Sequence, residues 1–380
     1  MAKNKKAAGR LSIDQMRKLI NKKAGQEVAV DLTDENNPTI VKRWIPTGSR
    51  WLDSIIRRGK VAGIPVGKVT EIAGLEASGK SYMAAQIAGN AQKMGIDVVY
   101  FDSESSLDFT FMEKAGCDAS SILYVQAKSV EFVMETMEEL LKSNDNQMLF
   151  IWDSLALTPA ISDLEGDFNP NSSMAVKPRI LAKAMSKLTI PLANSQSTFL
   201  VLNQLKTNIP SGPTARSQIL TTPYTTPGGK AMIYAYSLRI WLTRPKAKAS
   251  FVLDEHGYRI GNTVKVKLEK SRFGSQGRQC QFKILWGDHV GVADEESWFD
   301  AIQGSKHLDR SGAWYELHFT DGTSEKFQSA NWTKKLQSKK FRTRVLEIMD
   351  EEVVLKFNDR TGKASDFYDT EENGQSTPLQ

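Results

Sequence analysis

Along most of the chain, short apolar runs alternate with stretches of helical periodicity, and the runs break off at polar or acidic residues. Residues 68–73 read as a strand, 82–94 as a helix and 97–102 as a second strand. Residues 148–152, apolar throughout, and 197–202 read as a third and a fourth strand. The alternation runs from residue 40 to about 286, which predicts an α/β core with a mostly parallel sheet flanked by helices. Ahead of it, Leu11, Ile13, Met16, Leu19 and Ile20 form an apolar stripe among lysines, the pattern of a short docking helix. Behind it lie a helical segment at 295–303, a hairpin signal at 320–323 and a basic stretch at 331–344. From Asp350 onward the residues are acidic, polar and poor in apolar side chains, so a mobile tail is expected. The expected divisions are a helical docking segment (1–38), the core (39–286), a small α/β C-terminal domain (287–349) and the tail (350–380).

Composition narrows the function classes only a little. A net charge of +6 over 380 residues fits an anionic polymer as partner, although so mild an excess is also an ordinary soluble surface. Cys117 and Cys280 stand apart, without metal or redox spacing, and read as core thiols. His256, His289, His307 and His318 lack ligand spacing as well. No stretch approaches the length of a membrane span, and the N-terminal residues lack a signal-peptide core, so a soluble cytoplasmic protein is expected, without a membrane partner.

The chemistry enters at residues 74–81. Gly74, Leu75, Glu76, Ala77, Ser78, Gly79, Lys80 and Ser81 fit the phosphate-binding pattern G-x-x-x-x-G-K-[ST], between a strand and a helix that begins near Tyr82. The glycines let backbone N–H groups curl around phosphates, and the helix N-terminus adds positive potential. Lys80 would reach the β- and γ-phosphates of ATP, and Ser81 would reach Mg²⁺. The next strands end in polar groups that belong at the ligand edge of a parallel sheet. Glu104 is the candidate to orient the water that attacks the γ-phosphate. Asp153 is the candidate to hold the Mg²⁺ hydration shell. Gln204 is placed to sense the γ-phosphate, and the long segment 205–227, rich in Thr, Ser and Pro, ends in Gly228-Gly229.

In this order, with residues 45–49, 63–68, 101–104, 153–159, 203–204, 226–229 and 312–315, the motifs resemble those of RecA-family DNA recombinases, of a phage-type, UvsX-like branch. The resemblance covers roughly residues 46–315. It implies that Glu104 activates water and that Gln204 relays nucleotide state to DNA. It also implies that Asp108 and Phe111 contact adenine, Phe111 keeping a stacking face where the family typically has tyrosine. Segments 161–174 and 205–227 correspond to two DNA-binding loops. Met174 would wedge between bases and Arg179 would bind phosphate, with Lys206, Gly228 and Gly229 at the second loop. The wedge of that loop stays open among Ile209, Ile219 and Tyr224. Lys270 and Arg272 correspond to two cations that act across a filament interface on the neighbouring subunit's ATP, Arg272 standing where bacterial relatives have lysine.

The implied protein is a DNA-dependent ATPase that assembles as a helical homo-oligomer on single-stranded DNA and exchanges strands with double-stranded DNA, aided by mediator and single-strand-binding proteins. The basic stretch 331–344 is either a duplex-capturing patch or a solvated helix face. A hexameric RecA-fold helicase or motor shares the P-loop and trans-acting cations. A nucleotide-gated regulator without useful turnover is a third reading, against which Glu104 argues.

Overall fold

The computed structural model describes residues 11–25, 27–34, 37–165, 176–208, 223–244, 250–286 and 290–355. They fall into two units, Met1–Lys42 and Arg43–Gln380. In the first, α1 (Ile13–Ala24) starts at Ser12, whose hydroxyl accepts the Gln15 N–H while the Gln15 side chain accepts the Ser12 N–H. Gly25, at φ 69°, ends it. The apolar stripe is present and Ile13, Leu19 and Ile20 remain exposed.

The second unit opens with β1 (Trp44–Ile45), α2 (Arg50–Ile56) and β2 (Ile64–Pro65). The core then alternates through β3 (Val69–Gly74), α3 (Lys80–Lys93), β4 (Asp97–Asp102), α4 (Phe109–Lys114), β5 (Ile122–Gln126), α5 (Val130–Ser143) and β6 (Met148–Asp153). It continues with α6 (Ile161–Glu165), α7 (Val176–Asn194) and β7 (Thr198–Gln204). The short β8 (Lys206–Thr207) and β9 (Tyr224–Thr225) pair with each other ahead of α8 (Gly229–Ala235) and β10 (Leu238–Thr243). After these come β11 (Phe251–Leu253), β12 (Arg259–Ser271), β13 (Gln279–Leu285) and β14 (Gly291–Ala293). One 10-stranded sheet runs β14-β13-β12-β10-β3-β7-β6-β4-β5, with β11 added to β12. It is parallel from β5 to β10 and antiparallel from there to β14.

The continuous apolar runs follow from burial on both sheet faces. Along β6, Leu149 and Ile151 enter one core, whereas Met148, Phe150 and Trp152 enter the other. Register then aligns the strand ends: Gly74 lies opposite Gln204, and Asp102 opposite Asp153. Asn203 and Gln204 belong to β7 itself rather than following it.

The C-terminal part comprises α9 (Asp294–Ile302), β15 (Leu308–Ser311), β16 (Trp314–His318), β17 (Ser324–Gln328), α10 (Trp332–Lys335) and α11 (Lys339–Ile348) around its own aromatic core. Phe299 meets Tyr315 at 4.9 Å and Phe327 meets Phe341 at 5.3 Å. Two expectations change here. Residues 350–354, assigned to the tail, continue from Met349 as a wide helical turn: Met349 and Val354 are buried, Arg50 pairs with Asp350 at 2.8 Å, and Arg278 donates to the Val353 carbonyl, while residues 356–380 of the expected tail lie outside the described residues. Apolar side chains spaced among the acidic ones hold this turn down. The basic stretch splits into α10 and α11, and much of its charge is matched within the domain. Lys335 pairs with Glu325, Lys340 with Asp321 and Arg342 with Glu295, while Arg344 is buried beside Glu347. Less of that charge is therefore left for a DNA duplex.

Asp294, at the start of α9, accepts the Arg50 N–H at 2.7 Å, and burial raises its pKa from 3.8 to about 6. Between those values the native chain holds a proton that the unfolded chain has released, so stability falls as pH rises through that window. Asp294→Asn keeps an acceptor for Arg50 and is expected to be more stable than the parent above pH ~6, by about 1–3 kcal/mol, with the gain vanishing below pH ~4. Urea unfolding midpoints at both ends of the window check this.

Candidate nucleotide site and DNA-facing loops

The P-loop turns on two tight approaches. A Cβ at Gly74 would lie 2.2 Å from the Ser78 hydroxyl, and one at Gly79 would lie 2.2 Å from Ile284 of β13. Ala77 and Gly79 take φ of 51° and 87°, which turns the main chain into the start of α3. Lys80 Nζ lies 3.3 Å from the Leu75 carbonyl and 3.5 Å from that of Gly74. Burial lowers its pKa, against the raising influence of Asp153, Glu104 and Glu76. A desolvated ammonium resting on two main-chain carbonyls is ready to pair with phosphate.

Ser81 and Tyr100 both donate to Asp153 Oδ2 at 3.0 Å. Burial raises the Asp153 pKa; these two hydrogen bonds oppose the shift. A buried carboxylate with a hydroxyl beside it suits Mg²⁺, which would complete its shell with water and phosphate oxygens. Glu104 is exposed, and Ser154 Oγ donates to its Oε1 at 3.5 Å. Its loop is built by Asp102, whose carboxylate accepts the N–H groups of Glu104, Ser106 and Leu107 at 2.8, 2.9 and 3.1 Å. Lys80, Ser81, Glu104, Asp153 and Gln204 thus share one sheet edge.

A cavity of about 400 Å³ opens beside the P-loop, lined by Ala77 to Tyr82 and, from the antiparallel strands, by Asn262, Val264, Ile284 and Trp286. Asn262 is buried with an unpartnered Nδ2, and Arg259 lies between Phe251 and Trp286, 4.0 and 5.3 Å from the rings. These wall residues carry no motif and went unseen in the sequence; the one signal was an aromatic closing an alternating strand. Asp108 and Phe111 do not line the cavity. Asp108 caps α4 through the Phe111 N–H, and the Phe111 ring stands edge-on to Tyr82 at 4.8 Å.

Residues 11–291 match the RecA N-terminal domain. The chain belongs to the RecA family. It is 30% identical to Protein RecA of Saccharopolyspora erythraea over 78% of this chain and 80% of that one. Protein RecA of Frankia alni is 31% identical, over 80% and 82%. That of Acidothermus cellulolyticus is 32% identical, over 71% and 73%. RecA membership places the chain among ATP- and DNA-binding proteins of recombination and repair. These relatives are bacterial and lend the phage-type branch no support.

The DNA-facing expectations fare unevenly in this RecA-family chain. Met174, Ile209 and Ile219 lie outside the described residues. Arg179 is exposed on α7, and Lys206 is exposed on β8. Gly228 is buried at φ 111°, where a Cβ would meet Met232 and Leu155 within 3.3 Å, so the turn ahead of α8 requires glycine there. Gly229 packs on Pro178. Lys177, also unforeseen, donates to the Thr158 carbonyl at 2.7 Å and ties the start of α7 to the turn after Asp153. Lys270 Nζ donates to the Ile233 carbonyl at 2.6 Å, and Arg272 donates to that of Tyr234 at 2.8 Å. Both cations therefore sit on the last turn of α8. No helix among the described residues is long and apolar enough to cross a membrane.

Proposed function

We propose that the chain is a DNA-dependent ATPase and strand-exchange recombinase that assembles as a helical filament on single-stranded DNA and pairs it with a duplex. The observation that carries this reading is the separation of Lys270 and Arg272 from the P-loop. Arg272 donates its N–H to Ser237, whose own N–H bonds Val69 at the start of β3, whereas the P-loop leaves β3 at Gly74. About 17 Å of strand lies between Gly74 and the level of Arg272, and about 10 Å between Gly74 and the level of Lys270, which pairs with Arg239 opposite Glu71. Cations at the opposite edge complete a phosphate site only on another copy, which makes turnover depend on assembly.

Within one site, Lys80 and the P-loop N–H groups hold the phosphates, Glu104 orients the water, and Ser81 with Asp153 holds Mg²⁺. Bound Mg²⁺ supplies charge neutralisation on the phosphate oxygens. Gln204, opposite Gly74, relays the presence of the γ-phosphate to the loop that follows. Arg179, Lys206 and the loops spanning 161–174 and 205–227 contact DNA, and the N-terminal helix docks on the adjacent protomer through its apolar stripe.

Negative-stain imaging with single-stranded DNA and a slowly hydrolysed ATP analogue, beside turnover assays with and without DNA, tests the reading. Open filaments with DNA-stimulated turnover support it; closed hexamers that unwind forks support a motor. Lys270→Ala with Arg272→Ala is expected to lower turnover at least about tenfold in assembled protein, leaving the ATP affinity of dispersed subunits unchanged. An equal loss in dispersed subunits would place the two cations elsewhere.

A further inference from the structure

The segment between Gln204 and Pro227 begins and ends on an apolar patch that touches the P-loop. Leu205 and Trp241 are buried with Ala73, and Leu75 and Tyr224 pack against them. Tyr224 meets Trp241 edge-on, with ring centroids 6.4 Å apart and planes at 84°. The Trp241 ring is held in turn by Arg239 and Lys267, 5.7 and 5.8 Å from its centroid.

Main-chain bonds join the same parts. The Leu205 N–H donates to the Gly74 carbonyl at 3.0 Å, and the Leu75 N–H donates to that of Leu242 at 3.3 Å. β8 and β9 pair Lys206 with Thr225 and Thr207 with Tyr224, which closes the two ends of the segment into one stem. Lys80 Nζ leans on the carbonyls of Gly74, which accepts the Leu205 N–H, and of Leu75, which packs against the patch. When Lys80 leaves them for a phosphate, the bonding beneath the stem changes.

We propose that Tyr224 and Trp241 are positioning residues that couple the P-loop to the β8–β9 stem, and that Tyr224 is not the residue that inserts between bases. The inference rests on residues 205–227 being a DNA-binding loop. It adds a route separate from Gln204, because the patch needs no phosphate contact of its own: an edge-on ring contact and a shared carbonyl fix the angle at which the stem leaves the P-loop strand. Tyr224 spends its ring on Trp241, and a ring so engaged is not available to a base.

The test compares wild type, Tyr224→Ala, Tyr224→Phe, Trp241→Leu and the double variant Tyr224→Ala/Trp241→Leu. ATP turnover is measured with and without oligothymidylate, and binding of that oligonucleotide is followed by fluorescence anisotropy. Each of Tyr224→Ala and Trp241→Leu is expected to lose at least about five-fold of the DNA stimulation, with DNA-free turnover and the KM for ATP retained. The double variant should lose no more than the worse single one, because both remove one contact. Tyr224→Phe keeps the ring and should keep the stimulation. If Trp241→Leu fails to fold, Leu205→Ala replaces it in the cycle.

Losses that multiply in the double variant would overturn the proposal, as would a Tyr224→Ala variant that loses oligonucleotide affinity while Trp241→Leu keeps full stimulation. A loss of DNA-free ATP affinity equal to the loss of turnover would mark a merely structural role. If wild type is stimulated and both single variants match it, the coupling role alone fails. Without any stimulation of wild type, the recombinase reading fails and takes this inference with it.

Discussion

Glu104→Gln is expected to leave ATP and single-stranded DNA bound while slowing hydrolysis by about 10²–10⁴-fold, the span a positioned general base contributes. The substitution preserves shape. Its N–H still bonds Asp102 at 2.8 Å, and its Oε1 can still accept from Ser154 Oγ, so the loop that presents it stays built. What goes is the negative oxygen that orients the attacking water and takes up its proton. Charge on the transferring phosphoryl group is met by other residues, so binding survives. Single-turnover hydrolysis beside filter binding separates the two steps. A variant within about tenfold of the parent would hand the water to another group, Gln204, opposite Gly74 at the P-loop, being one candidate to orient it.

The sheet edge was legible because apolar strands ending in a polar residue announce their own direction. Residues 97–102 and 148–152 coincide with β4 and β6 to within one residue, and Asp153 sits where its strand should release a metal ligand. The helix after the P-loop begins at Lys80, two residues before the periodicity suggests, since Lys80 and Ser81 belong to the phosphate pattern as well as to α3. The cavity wall was hidden. β12 and β13 alternate apolar and polar residues as any half-buried hairpin does, and nothing in that pattern says that Asn262 and Trp286 face the P-loop. Only the first residues of the expected tail are described, and there counting charges conceals spacing: Val353 and Val354 are few, but they fall on the side that packs. Glu71 and Arg239 left a trace that went unused, each being the single charge in an apolar strand. Their partnership, 168 residues apart, needs the fold to be seen.

That pair yields the second large effect. Arg239→Met is expected to destabilise the protein by about 3–5 kcal/mol, because it leaves the fully buried Glu71 carboxylate without its ion-pair partner. Arg239 Nε donates to Glu71 Oε2 at 2.6 Å, and the two side chains are 7% and 0% exposed. Glu71→Leu combined with Arg239→Met should recover most of that loss, since apolar groups of similar volume remove the desolvation cost of both charges. Recovery of stability would not bring recovery of function. Arg239 Nη2 also donates to Thr226 Oγ1 at 2.8 Å, and Asn203 Nδ2 bridges Glu71 Oε1 and the Pro227 carbonyl at 2.9 Å each. The pair therefore fastens both ends of the segment 205–227 to the strand that carries the P-loop, and a well-folded double variant should hydrolyse ATP with little response to DNA. Urea unfolding midpoints, read beside DNA-stimulated turnover, distinguish the outcomes. A double variant as unstable as Arg239→Met would show that packing rather than charge dominates the site, and one that responds fully to DNA would show that the ion pair only stabilises the fold.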